Sequence, residues 1–326
     1  MSERRRVLLV GMGVTTESAL RGLLAEFEVV ALIRQAGPED TALDLARQQG
    51  VAIEQDVSIA SIRAVVDRTS PDCVAVSSYH RILPPDVVNR CPFVNVHYAP
   101  LPRYRGRATV NWAIINGESH TAITVHELLP ALDAGGILFQ EPVLIGDRDT
   151  VTDLYRRLNA IQERALPGAV ARLLRGDHGR SQNESEASYS CTRVPSDGEI
   201  DWRRPADEID RLIRALTAPF PGAYTWMGEN RLVINRAMPT ATVRYDGVVP
   251  GRVAAIDRNC GTVDVLTGSG VLRIEEITLD GRAVRPADVI RSLTCTLGYD
   301  RESLIAAIGE LTRAVANLTT REVVPQ

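Results

Sequence analysis

The side chains best suited to chemistry on a carbonyl are an amide, an imidazole and a carboxylate. Asn95 and His97 close the short apolar run Phe93-Val94-Asn95-Val96-His97, and Asp133 follows within Leu132-Asp133-Ala134-Gly135-Gly136. Side chains alternate along a strand, so Asn95 and His97 share a face where the strand ends. An Asn amide can donate to an oxyanion, and imidazole can take up a proton near neutral pH. A carboxylate can orient that imidazole or stabilise its charge. The kit suits acyl transfer, and no Ser or Cys stands in a nucleophile motif. Each residue also has an ordinary structural use, since Asn and His end strands and Asp-Ala-Gly is common turn chemistry. Taken alone, the turn reading is the stronger.

These residues need elements to hold them. Val7–Val10 reads as a buried strand, Gly11-Met12-Gly13 as a turn, and Thr15 or Thr16 as the cap of a helix carrying Ala19, Leu20, Leu23 and Leu24. Strands at Val29–Ile33, Val51–Ile53 and Cys73–Val76 alternate with helices at Leu43–Ala46 and Ile59–Val66. Such alternation predicts a mostly parallel sheet with helices on both faces. Ligands in these sheets bind beyond the carboxyl ends of the strands. Asn95, His97 and the loop Ser77–Leu83 lie at such ends. Val110–Asn116 predicts a helix closed by Gly117, Ala122–Leu128 and Ile137–Ile145 predict two strands, and a long helix starts from Thr150.

The first turn invites a dinucleotide reading, in which an NADP-dependent reductase would use Gly11, Gly13 and Arg34. The third glycine is missing, because position 16 is Thr. Arg34 replaces an acidic ribose anchor, although it could meet a 2′-phosphate. A tight strand-to-helix turn explains the glycines better.

Residues 181–204 read as a polar linker. Beyond it, a helix from Pro205 and short strands at Ala223–Met227, Arg231–Asn235, Gly251–Ile256, Thr262–Leu266 and Val271–Ile277 suggest a small barrel. The division is 1–180, a linker 181–204, and 205–326. The final amphipathic helix, carrying Leu304, Ile305, Ile308, Leu311 and Val315, is expected to pack on its own domain, with homodimerisation as the alternative.

Composition narrows the class. The chain has 326 residues, 44% hydrophobic and 24% charged, as in an ordinary globular protein. No long apolar span or signal-like opening is present, so a cytoplasmic protein without membrane partners is expected. Its five cysteines form no Cys-x-x-Cys pair, so neither a disulfide framework nor a metal site is suggested. There is no lysine, and the net charge is -4. Residues 205–326 hold 14 Arg against 15 Asp and Glu. A nucleic-acid-binding domain should be visibly basic, so the charge argues for a small amine over tRNA.

Several blocks resemble one family in order and spacing: Asn95-Val96-His97, Leu101-Pro102-Arg103-Tyr104-Arg105-Gly106, Asn111-Trp112-Ala113-Ile114-Ile115-Asn116-Gly117-Glu118 and Leu132-Asp133-Ala134-Gly135. They are similar to the 10-formyltetrahydrofolate-dependent formyltransferases, which include methionyl-tRNA and amino-sugar enzymes. Asp197-Gly198-Glu199-Ile200-Asp201-Trp202 and Pro219-Phe220-Pro221-Gly222-Ala223 look like that family's bridge into its second domain. The likeness runs from about Val7 to Gly298. It departs at Ala99-Pro100-Leu101-Pro102, where the family often has Ser-Leu-Leu-Pro, and at Thr109, where it often has Pro.

The resemblance implies a Rossmann-like formyltransferase domain followed by an OB-like barrel, with 10-formyltetrahydrofolate as co-substrate and no metal. It implies that Asn95, His97 and Asp133 are catalytic. It places the folate against Arg81, Ile82, Leu83, Leu132 and Gly135, and the acceptor against Arg103, Tyr104, Arg105, Arg107 and Thr109. The leading expectation is a primary amine on a nucleotide-linked amino sugar. Methionyl-tRNA and a hydroxyornithine-type amine are the alternatives.

Overall fold

The computed structural model describes residues 4–37, 40–240, 244–299 and 301–321. The chain divides into two units, Met1–Arg193 and Val194–Gln326.

The first unit is built on a seven-stranded sheet. Its strands are β1 (Arg6–Gly11), β2 (Glu28–Ile33), β3 (Ala52–Glu54), β4 (Cys73–Ser77), β5 (Phe93–His97), β7 (His120–Glu127) and β8 (Ile137–Leu144), in the order β3-β2-β1-β4-β5-β7-β8. The pairs from β3 to β5 are parallel, whereas β7 is antiparallel to both β5 and β8. Strands buried on both faces need apolar residues at every position, and Val7, Leu8, Leu9 and Val10 are all fully buried. Leu8 and Val10 join the core beneath α3 (Ile59–Thr69) and α4 (Pro85–Val88).

A second pair of helices, α1 (Thr16–Glu26) and α6 (Val151–Leu174), packs together. At Gly22 an added Cβ would lie 2.2 Å from the Glu163 carbonyl oxygen, so a side chain there would push α1 off α6. Thr150 starts α6 with a capping box: its side chain accepts from the Asp153 amide, and Asp153 accepts from the Thr150 amide. Just after β2, Arg34 pairs with Asp40 at 2.7 Å and reaches back to the Gly13 carbonyl of the β1–α1 turn at 3.1 Å. The arginine offered for a 2′-phosphate thus braces the β1–α1 turn and is already paired with a carboxylate.

Part of the predicted linker is folded into the first unit. The strand β6 (Arg105–Gly106) pairs in parallel with β9 (Tyr189–Ser190), so residues after α6 return to the loop that follows His97. Between them, α2 (Thr41–Gln48) and α5 (Thr109–Ile115) complete the unit.

The second unit contains α7 (Ala206–Ala215) and an antiparallel sheet of β10 (Ala223–Met227), β11 (Asn230–Thr240), β12 (Val253–Asp257), β13 (Thr262–Leu266), β14 (Val271–Leu279) and β15 (Arg282–Val284). The order is β10-β11-β14-β13-β12, with β15 on β14. Ile209 and Ile213 of α7 enter a core with Leu232, Val263, Val265, Leu272 and Ile274. The short α8 (Pro286–Val289) adds Ala287 to that core.

The last helix, α9 (Arg301–Arg321), departs from expectation. Leu304, Ile305, Ile308, Leu311 and Val315 are between 42% and 66% exposed. Among the described residues, no helix is long and apolar enough to cross a membrane.

Candidate active site

The cleft of the first unit opens at the carboxyl ends of β4 and β5 and measures about 540 Å³, within the range of small-molecule sites. The β5 strand delivers Asn95 and His97 together, as their spacing required. Asn95 faces His126 across the antiparallel β5–β7 pair, and the β7–β8 connection brings in Asp133.

His97 is buried, with Nε2 2.7 Å from the Tyr104 carbonyl oxygen and Nδ1 3.7 Å from Oδ2 of Asp133. A carbonyl only accepts, so Nε2 carries the ring proton and Nδ1 keeps its lone pair toward the carboxylate. Burial pushes the His97 pKa below its usual value, against the opposing pull of Asp133 and the Tyr104 carbonyl. Burial alone would raise the Asp133 pKa. The positive charge that the adjoining His97, then His126, would carry in acid, together with the Gly106 amide, instead holds it well below the usual carboxylate range. The Gly106 amide donates to Asp133 Oδ2 at 2.8 Å. The site therefore presents a neutral imidazole beside a fixed carboxylate.

His126 was not singled out from the sequence. Its Nδ1 lies 2.8 Å from the Glu127 carbonyl oxygen and must donate there. That leaves Nε2 as an acceptor for Asn95 Nδ2 at 3.1 Å. Asn95 Nδ2 also donates to Asp133 Oδ1 at 3.3 Å. Both neighbours are acceptors, which orients the amide without ambiguity. A histidine opposite Asn95 was the available signal, but it became visible only with the strand register.

The loops around this cluster are held in uncommon backbone. Ser78, Tyr104, Ala108 and Asp133 all have positive φ, between 48° and 62°. Such values are uncommon outside glycine and cluster at sites where the surroundings over-determine them. Gly135 and Gly136 allow the Asp133 turn to sit down. An added Cβ would lie 1.8 Å from the Glu127 carbonyl oxygen at the first and 1.9 Å from that of His178 at the second.

The remaining candidates separate into two groups. Arg81, Ile82, Leu83, Leu132, Arg107 and Thr109 line the cleft. Thr109 also donates to the Tyr98 carbonyl at 2.8 Å. Gly135 contributes close backbone approach instead of a cleft surface. Arg103 pairs with Glu118 at 2.6 Å, and the Tyr104 hydroxyl donates to the same carboxylate at 2.7 Å. Arg105 is 2% exposed and grips both oxygens of Glu184, at 2.6 Å and 2.9 Å. These three residues of the acceptor set work in the scaffold of the loop and not on the cleft wall. A run of alternating arginines cannot reveal which will meet a carboxylate, because Glu118 lies across the following helix and Glu184 arrives from 79 residues away.

The formyl transferase family model matches residues 31–170, and the formyl transferase C-terminal domain model matches 194–293. The chain is 35% identical over 293 residues to methionyl-tRNA formyltransferase of Marinobacter nauticus, covering 85% of this chain and 92% of that protein. HypX from Aquifex aeolicus, solved in complex with tetrahydrofolic acid, superposes with a TM-score of 0.64 at 18% identity. That match covers 90% of this chain but 48% of HypX, so the chain spans about half the length of that protein. WlaRD, a sugar 3N-formyl transferase solved with dTDP and 5-N-formyl-THF, gives a TM-score of 0.60 at 15% identity, covering 86% of this chain and all of that one. At these identities the two structures speak to the fold.

Proposed function

This chain belongs to the formyltransferase family, and from that premise we propose that its acceptor is the amino group of methionyl-tRNA. The coarser activity is folate-dependent formyl transfer from 10-formyltetrahydrofolate. The observation that carries the choice of acceptor is the 35% identity extending over 92% of methionyl-tRNA formyltransferase. This reverses the order of acceptors suggested by charge alone.

The residues present fit the co-substrate. Ile82 and Leu132 leave apolar surface exposed beside the cleft, 65% and 43% respectively, which a flat ring can cover. Arg81, Ile82 and Leu83 would offer backbone groups to its polar edge, and Asn95, His97 and Asp133 would lie beside the reacting carbon. Bound there, 10-formyltetrahydrofolate supplies the formyl group.

The chain's own groups divide the remaining work. Asn95 donates an N–H to a developing oxyanion, and the bond to release is the longer one to Asp133, because His126 holds the other hydrogen. His97 Nδ1 takes the proton lost by the attacking amine and would return it to the folate nitrogen as that nitrogen's bond to the formyl carbon breaks. Asp133, ionised and anchored by Gly106, stabilises the imidazolium that results.

A second reading keeps a small acceptor, such as a nucleotide-linked amino sugar. Its support is electrostatic. Residues 205–326 hold 14 Arg against 15 acidic residues, and Arg103 and Arg105 are neutralised by Glu118 and Glu184. A polyanion such as tRNA is normally met by excess positive charge.

Formyl transfer from 10-formyltetrahydrofolate should be measured against methionyl-tRNA, UDP- and dTDP-linked amino sugars and hydroxyornithine. Turnover with methionyl-tRNA and none with the small amines is the expected result. Turnover with an amino sugar alone would overturn the tRNA reading and establish the second.

A further inference from the structure

We infer that Gln182 is a positioning residue for Asp133, tying the Asp133 turn to the buried Arg105 and so keeping the carboxylate beside His97. The inference rests on the reading that Asp133 is catalytic.

Gln182 lies in the stretch that returns over the site after α6. Arg180 fastens this stretch to β8 by two backbone bonds with Ile137, at 2.8 Å and 3.0 Å. The Gln182 side chain then makes three hydrogen bonds, using both of its donors. Its Nε2 donates to the Asp133 carbonyl at 2.7 Å and to the Gly135 carbonyl at 2.8 Å. Its Oε1 accepts from Arg105 Nη2 at 2.8 Å. Carbonyls need a donor and guanidinium needs an acceptor, so a carboxamide suits the place and its orientation is set.

This arrangement grips Asp133 from two sides. Its side chain is held by the amide of Gly106, the residue after Arg105, and its main chain by Gln182. The main chain needs holding, because Asp133 has φ 48° without being glycine. Arg105 is itself immobilised by Glu184 and by the pairing of β6 with β9. Three segments distant in sequence are thus locked around one carboxylate, and Gln182 is the side chain that touches two of them.

The test compares Gln182→Met, Gln182→Glu and Asp133→Asn in the full chain. Met keeps the length and removes all three hydrogen bonds, whereas Glu keeps an acceptor for Arg105 and loses both donors. Formyl transfer from 10-formyltetrahydrofolate is followed with whichever amine of the panel the wild type accepts. Circular dichroism normalises each rate to folded protein.

Both Gln182 variants should lower kcat by roughly ten- to a hundredfold, the scale of a catalytic group displaced by about 1 Å. KM for both substrates should hold. In an Asp133→Asn background, Gln182→Met should cost no further activity, since its effect travels through the missing carboxylate. A general structural role would lower the rate in both backgrounds.

A second readout needs no acceptor. The His97 ring, followed by NMR in labelled protein, should titrate at lower pH in Gln182→Met, as in Asp133→Asn. The groups facing His97 are Asp133, His126 and the Tyr104 carbonyl, and only the first is loosened. If Asp133→Asn cripples turnover while both Gln182 variants retain wild-type kcat and His97 titration, this inference is overturned and the catalytic reading stands. If Asp133→Asn retains full turnover, the catalytic reading itself fails. Additive loss in the double variant also overturns the inference.

Discussion

Asn95 Nδ2 lies 3.1 Å from His126 Nε2, across two antiparallel strands that place the residues directly opposite one another. Because the Glu127 carbonyl engages the other ring nitrogen of His126, the neutral ring accepts from Asn95. The amide of a candidate oxyanion donor is therefore aimed by its strand partner. Replacing His126 with Ala should lower kcat by about tenfold, less than deletion of an oxyanion donor, which costs on the order of a hundredfold or more. Steady-state kinetics of H126A beside Asn95→Ala measures this ordering, and a larger loss in H126A would contradict it.

The pH profile should carry the mark of a buried base. His97 titrates below its usual value of 6.5 because burial disfavours the imidazolium. Turnover should therefore be level above 6.5 and fall only at lower pH, as His97 gains a proton. Asp133→Asn removes the nearby negative charge, so the acid limb should move still lower while the plateau drops. Rate–pH curves of the two proteins test the direction. A limb that moves upward would be incompatible with the charge relationship described here.

The same group links folding to pH. A histidine buried in its neutral form is protonated first in the unfolded chain, so stability should decline as pH falls through 6.5 toward the folded value. His97→Gln should flatten this part of the stability curve. Urea midpoints at a series of pH values are the measurement.

Gly135→Ala should disturb the Asp133 turn without touching any side chain of the site. The new Cβ would fall 1.8 Å from a backbone oxygen of β7, and backbone yields less readily than a flexible side chain. A loss of about 1–3 kcal/mol is expected, in the range of overpacked sites, together with reduced kcat. Thermal melts and kinetics report the two effects separately.

Arg34→Ala should destabilise the first unit and leave no deficit in nucleotide binding. It would strand Asp40, whose side chain is 5% exposed, without its cation. Leaving a partly buried carboxylate without its charged partner costs about 1–3 kcal/mol. NADPH fluorescence titration of the wild type should show no binding, because the arginine is already engaged with Asp40 and the β1–α1 turn.

Much of the fold was legible because its signals are local. Alternating β and α patterns predicted the parallel sheet, and Asn95 and His97 share a strand face whatever surrounds them. The strands Ala223–Met227 and Thr262–Leu266 could be read to their end residues from periodicity and turn chemistry. The last helix was read correctly as amphipathic, but amphipathicity alone cannot say whether a face will be covered.

What the sequence determined by itself is the inventory: an amide and an imidazole in register, a carboxylate in a glycine-rich turn, and a family resemblance that joins them. What only the tertiary structure decided is how those groups are held. The strand register sets His126 against Asn95, and the return of the chain after α6 sets Gln182 against Asp133. The same closure gives Arg105 its carboxylate, Glu184, while Arg107 stays on the cleft wall. Those contacts join residues tens of positions apart, and hydrogen bonding depends on distances of about 3 Å that no local pattern encodes.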